Sequence, residues 1–237
     1  MTPLTTAAHR DGDHTAGDGV PADATQSADT TIEAPPTQRR APTRAEPLPT
    51  TAAYPPLFAV LGAHGGAGAS TLTRWWVHAA DTGRAWPASA ATTQRVVVAA
   101  RECMPGLTAA ADRLREWRAH VTPPGVQVVG LVLIAPRPGD VPRTVRRYAD
   151  TISELVDGIV ARIGWHEQLL GCELDDLAVY TPGDPVAPAA RTRRRRRADL
   201  RETVPADVAR TAAAITDAIA ESLAFPTPFN PSGRHHP

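Results

Sequence analysis

The sequence predicts an α/β protein, a three-layer sandwich in which a mostly parallel sheet carries helices on both faces. Three observations predict it. Short β-branched or apolar runs alternate along the chain with stretches of helical spacing. The runs are apolar along both faces, as strands covered on both sides are. A glycine-rich turn follows the first run, at the end where such sheets bind ligands.

Taken in order, the first strand is "LFAVLG", residues 57–62, a short apolar run closed by glycine. Beyond the glycine turn, Leu72, Trp75, Trp76 and Ala79 follow helical spacing. "DTGRAWPASAATTQ", residues 81–94, reads as a connector punctuated by Gly and Pro. "RVVVAAR", residues 95–101, is the second strand, and Leu107, Ala110, Leu114 and Trp117 mark an amphipathic helix after it. "VQVVGLVLIA", residues 126–135, carries the strongest strand signal in the chain. Val141, Val145, Tyr148, Ile152 and Leu155 then give a helical stripe, and "GIVARIGW", residues 158–165, a fourth strand. Past Pro205, a last helix carries Val208, Ala212, Ile215, Ile219 and Leu223 on one face, which must dock on something.

This divides the chain into an N-terminal arm (1–53), an α/β domain (54–168), a loop with an arginine-rich segment (169–204), a C-terminal helix (205–224) and a tail (225–237). The arm and tail are poor in large apolar residues and are expected to be disordered, because they cannot bury enough surface to offset their ordering entropy.

The 237 residues carry no net formal charge, and all 25 basic side chains are arginine. Zero net charge argues against bulk attraction to nucleic acid, though not against a local basic patch. The two cysteines, Cys103 and Cys172, stand apart from any CxxC or histidine pairing and read as reduced thiols. With no transmembrane run and no apolar signal core, a cytoplasmic location is expected. No Ser-His-Asp order, metal-ligand spacing or carboxylate pair stands out.

The turn "GAHGGAGAST" is where the chemistry concentrates. Gly62, Gly65, Gly66 and Gly68 let the backbone curl so that N–H groups converge on one anion. Ser70 and Thr71 open a helix there, adding its unpaired N–H groups and a hydroxyl suited to Mg²⁺. Against the general phosphate-loop pattern G-x-x-x-x-G-K-[ST], the first glycine falls at Ala63 and the lysine at Ala69.

The turn resembles more closely the x-K-G-G-x-G-K-[ST] loop of the ParA/MinD family of P-loop ATPases, matching at Gly65, Gly66, Gly68 and Ser70. It also resembles a group of shortened ParA-like proteins from GC-rich bacteria in which a lysine-free "GAHGGAG[AT][ST]" loop recurs. The likeness spans residues 57–165 as an order of elements and is specific over residues 65–71.

It implies a small P-loop NTPase-like three-layer sandwich. The nucleotide or phosphate contacts would be His64, Gly65, Gly66, Ala67, Gly68, Ala69, Ser70 and Thr71, with ATP as cofactor and Mg²⁺ on Ser70. The family's two lysines fall at His64 and Ala69. The acidic residue that positions Mg²⁺ and the attacking water is not evident: "RVVVAAR" ends in Arg101, followed by Glu102. Asp81 is either a remnant of the acidic strand or a residue terminating the helix.

Without the lysine, binding is expected to weaken and hydrolysis to suffer more, because the cation matters most in the transition state. The expectation is a pseudo-ATPase with a regulatory or partitioning role rather than an enzyme with turnover. His64 offers partial charge if protonated, or serves as a neutral turn residue. Arg74 either curls back toward the loop or stays solvated. A homodimer partner's arginine is another source of charge, as the family uses its signature lysine in trans. Trp86 either lines the mouth of the loop or packs in the core, where Trp75, Trp76, Trp117 and Trp165 are expected.

The second candidate is the run formed by Arg191, Arg193, Arg194, Arg195, Arg196 and Arg197. Such a run can neutralise phosphates of DNA in a salt-sensitive, sequence-independent way. With no aromatic residues interleaved, base stacking is not indicated. The rival to an ATP-binding protein is therefore a non-catalytic scaffold that contacts DNA or a protein partner through this run.

Overall fold

The computed structural model describes residues 32–50, 52–186 and 199–224. At its centre lies a five-stranded, wholly parallel sheet: β2 (Phe58–Gly62), β3 (Ala79–Asp81), β5 (Arg95–Arg101), β6 (Gln127–Ile134) and β7 (Ile159–Ile163). The spatial order is β3-β2-β5-β6-β7, so the α/β class is as expected. Its central strands are apolar on both faces: all five residues of β2 are buried, and so are Val96 to Ala100 of β5.

Two cores explain why. On one face, α2 (Met104–Arg118) and α3 (Arg143–Ser153) bring Leu107, Leu114, Ala149 and Ile152 onto Leu61, Val98 and Leu133. On the other, α1 (Ala69–Trp75) and α4 (Ala206–Ala224) bring Leu72, Trp75, Ala212 and Ile215 onto Val60, Val97 and Val132. The partner of the last helix is thus this second sheet face, and its Val208 and Ile215 are fully buried.

The chain leaves β2 through α1 to β3 on one side, then crosses to β5 on the other. The direction of winding reverses at β2, which places a crevice beyond the C-terminal ends of β2 and β5.

Three expectations need correction. The helix after the glycine turn stops at Trp75, and Ala79 lies in β3 rather than on a helical face. Tertiary bonds end it: the Val77 and Tyr180 N–H groups pair across to the Tyr180 and Trp75 carbonyls, and the Trp76 indole N–H donates to the Val208 carbonyl.

The connector at 81–94 contains β4 (Trp86–Pro87), which pairs with β1 (Thr43–Arg44) in a small parallel ribbon. Trp86 is 1% exposed and belongs to the core, not to the mouth of the loop.

The arm expected to be disordered to residue 53 is built into the domain over residues 32–50. Arg39 grips Asp112 at 2.8 Å, the Ala41 N–H donates to Glu116, and Leu48 is buried. The start of the arm, the arginine run at Arg191–Arg197 and the tail lie outside the described residues. No helix among the described residues is long and apolar enough to cross a membrane.

Candidate functional site

The glycine turn connects β2 to α1 and forms the floor of the crevice. Gly66 (φ 74°) and Gly68 (φ 96°) both adopt left-handed backbone, which side chains resist, so the loop's shape depends on glycine at these two places. The Gly62 N–H is held by the Gly83 carbonyl at 2.7 Å and the Ala63 N–H by the Ala99 carbonyl at 2.9 Å, anchoring the loop to both neighbouring segments. The N–H groups of Ala69, Ser70 and Thr71 open α1, where no intrahelical carbonyl is available to them.

The crevice is lined by Gly62, His64 to Thr71, Asp81, Gly83, Arg84 and Arg101, and its volume is about 320 Å³. It therefore gathers every residue expected to contact phosphate, from His64 through Thr71.

The sharpest contact is a hydrogen bond of 2.6 Å from the Ser70 hydroxyl to Asp81 Oδ2. Asp81 ends β3, the strand beside β2, and its other oxygen accepts the Gly83 N–H at 2.6 Å. Of the two readings open for Asp81, the helix terminator fails: the residue lies in a strand, and α1 is capped five residues earlier at Trp76. A hydroxyl and a carboxylate are hard oxygen donors, and Mg²⁺ is commonly held by one or two such groups plus phosphate oxygens and water. The pair fits that ion. Among the described residues there is no cluster of three or more metal-ligating side chains, so the ion would rely on its phosphate ligand.

His64 does not serve as a counter-charge. Its Nδ1 lies 2.8 Å from the Gly65 carbonyl and its Nε2 accepts the Arg101 backbone N–H at 3.1 Å. One donor and one acceptor make this the neutral ring, bracing the loop against β5. Arg74 does not curl back: its Nη2 donates to the Asp175 carbonyl at 2.6 Å, away from the loop.

Two arginines that the loop pattern did not single out border the crevice, Arg84 on the β3 side and Arg101 on the β5 side. The register explains the second. Gly62, the last residue of β2, pairs with Ala99, so β5 runs two residues further and delivers Arg101 beside the loop. A loop motif read along the chain has no access to a neighbour brought in by strand register.

On the far side of Arg101 lies an apolar cavity of about 250 Å³, walled by Leu72, Trp75, Ile163, Trp165 and Leu169, with Gly68 and Thr71 at its rim. Trp165 is thus half-buried at a cavity wall rather than in the core, whereas Trp117, also half-buried, packs against the core.

No protein-family model matches the chain, and no curated protein or solved structure is significantly similar to it.

Proposed function

We propose that this domain is a degenerate ParA/MinD-like nucleotide-binding protein. It would hold a phosphoryl group and Mg²⁺ weakly at Gly65–Thr71 and act in regulation or partitioning, with little or no hydrolysis. The observation that carries the reading is the Ser70–Asp81 hydrogen bond at the winding-reversal crevice. Phosphate-loop proteins hold Mg²⁺ with just such a pair, a loop hydroxyl and an acidic residue on an adjoining strand.

The make-up of the crevice supports the expectation of poor hydrolysis. Asp81 is the one carboxylate lining the crevice among the described residues, and it already serves Ser70 and the Gly83 N–H. Among the described residues no second acid lines the crevice to orient an attacking water.

Titration of the folded protein with ATP, with and without Mg²⁺, tests the reading. Binding is expected in the high-micromolar to millimolar range, on the order of tenfold tighter with Mg²⁺, with Ser70→Ala and Asp81→Asn removing the Mg²⁺ effect. Absence of binding at millimolar nucleotide would refute it. Measurable turnover abolished by Ser70→Ala would replace it with a true ATPase.

A further inference from the structure

The missing lysine leaves the crevice in need of a cation, and one neighbouring residue meets that need. Arg101 is half-buried at the seam between the glycine crevice and the apolar cavity, lining both. Its guanidinium is aimed and held: Nε donates to the Gly66 carbonyl at 3.1 Å and Nη1 to the Ala135 carbonyl at 3.0 Å. Its backbone is fixed too. The N–H is on His64, the carbonyl lies against Gly106 in the first turn of α2, and the Cys103 N–H donates to that carbonyl at 2.8 Å.

What Arg101 lacks is an acid. Among the described residues Arg39, Arg113, Arg118, Arg162 and Arg201 each reach a carboxylate within ion-pair distance, and Arg101 reaches none. Its two hydrogen bonds leave three of the five guanidinium N–H donors over. A half-buried charge without a counter-ion is costly, and an anion arriving in the crevice would relieve that cost.

We infer that Arg101 replaces the absent loop lysine, neutralising the bound phosphoryl group from the neighbouring strand. The inference rests on the phosphate-site reading above. It also names the ligand class: a phosphate ester whose anionic end lies on the glycine loop and whose flat or apolar body turns past Arg101 into the cavity beside Trp75 and Trp165. Guanidinium suits this place because it can offer N–H donors to phosphate oxygens while Nε and Nη1 each keep a hydrogen on a backbone carbonyl. Arg84, on the opposite wall, is exposed and has no such tethers among the described residues.

The test titrates inorganic pyrophosphate and Mg-ATP into wild-type protein, Arg101→Gln, Arg101→Lys and Arg84→Gln, each checked for folding by thermal melting. Arg101→Gln is expected to weaken both ligands by about tenfold or more, the scale of one charge-assisted hydrogen bond. Arg101→Lys should restore part of the loss, and Arg84→Gln should cost less than Arg101→Gln. ATP is expected to bind more tightly than pyrophosphate, through the cavity.

In wild-type protein, saturating pyrophosphate should shift the Arg101 Nε–H resonance, assigned by its disappearance in Arg101→Lys. Equal affinity of wild type and Arg101→Gln, a larger loss in Arg84→Gln, or an unmoved Arg101 signal under saturating ligand would each overturn the inference and leave the phosphate site standing. Failure of wild type to bind either ligand would overturn the phosphate site and, with it, this role.

Discussion

A Cβ on Gly106 would collide with the Arg101 carbonyl oxygen and approach His64 Nε2 to 3.0 Å. The residue therefore sets how closely α2 approaches the end of β5 and, through His64, the glycine loop. Gly106→Ala lies inside a helix, where alanine is otherwise favoured. It should nonetheless destabilise by about 1–3 kcal/mol, because backbone has to shift. Urea denaturation checks the sign. A stabilised variant would mean that α2 has room the geometry denies.

His78 behaves differently. It is 7% exposed, packed edge-on between Phe58 and Tyr180, and burial lowers its pKa from 6.5 to about 4. Below pH 6.5 the unfolded chain takes up a proton that the folded chain refuses. Its contribution to stability is thus complete above pH 6.5 and is lost as pH falls toward 4. Between pH 7 and pH 5 this should cost about 2 kcal/mol. His78→Gln should flatten that part of the stability profile, measured by denaturation at a series of pH values.

At the scale of elements, the N-terminal segment and α2 form one unit. Glu116, 1% exposed, accepts the Trp86 indole N–H at 2.7 Å and the Ala41 N–H, and pairs with Arg113 at 3.0 Å. Burial pushes its carboxyl above the usual range, against the pull of these three partners. Arg113 in turn donates to the Arg39 carbonyl, and Arg39 grips Asp112.

A single acid thus ties together β4, the segment at 39–41 and α2. Glu116→Ala would strand a buried guanidinium and two N–H donors and should cost about 3–5 kcal/mol, read as a drop in the denaturation midpoint. A loss below about 1 kcal/mol, the size of an exposed ion pair, would show that this network is solvated in solution.

At the scale of the whole molecule, the crevice draws on segments far apart in the chain: the loop at 62–71, Asp81 and Arg84, and Arg101. They meet only when the sheet is assembled, so a ligand there binds the folded state alone. Mg-ATP at about ten times its dissociation constant should therefore raise the unfolding free energy by about 1.4 kcal/mol. The rise should be salt-sensitive and smaller in Asp81→Asn. A stability unchanged by saturating nucleotide would contradict the proposed site.

The layers are legible in the residue pattern. Continuous apolar runs such as "RVVVAAR" and "VQVVGLVLIA" can be satisfied only between covering helices, and the stripe from Val208 to Ile219 had to find a sheet face. The residue pattern also determined the glycine loop, because left-handed backbone at Gly66 and Gly68 is a local property written in residue type.

What surrounds that loop depends on long-range assembly. The three residues of β3 are too few to show a period, so Asp81 was ambiguous until strand pairing put it opposite Ser70. The segment at 32–50 has few large apolar residues, and its order comes from ion pairs and backbone bonds to α2 that composition does not reveal. Arg101 was visible as the end of a strand, but its place beside the loop depends on β5 outrunning β2 by two residues. Local propensities are legible along the chain, whereas register and long-range pairing are set by packing between segments, and the charges of this site are set by the second.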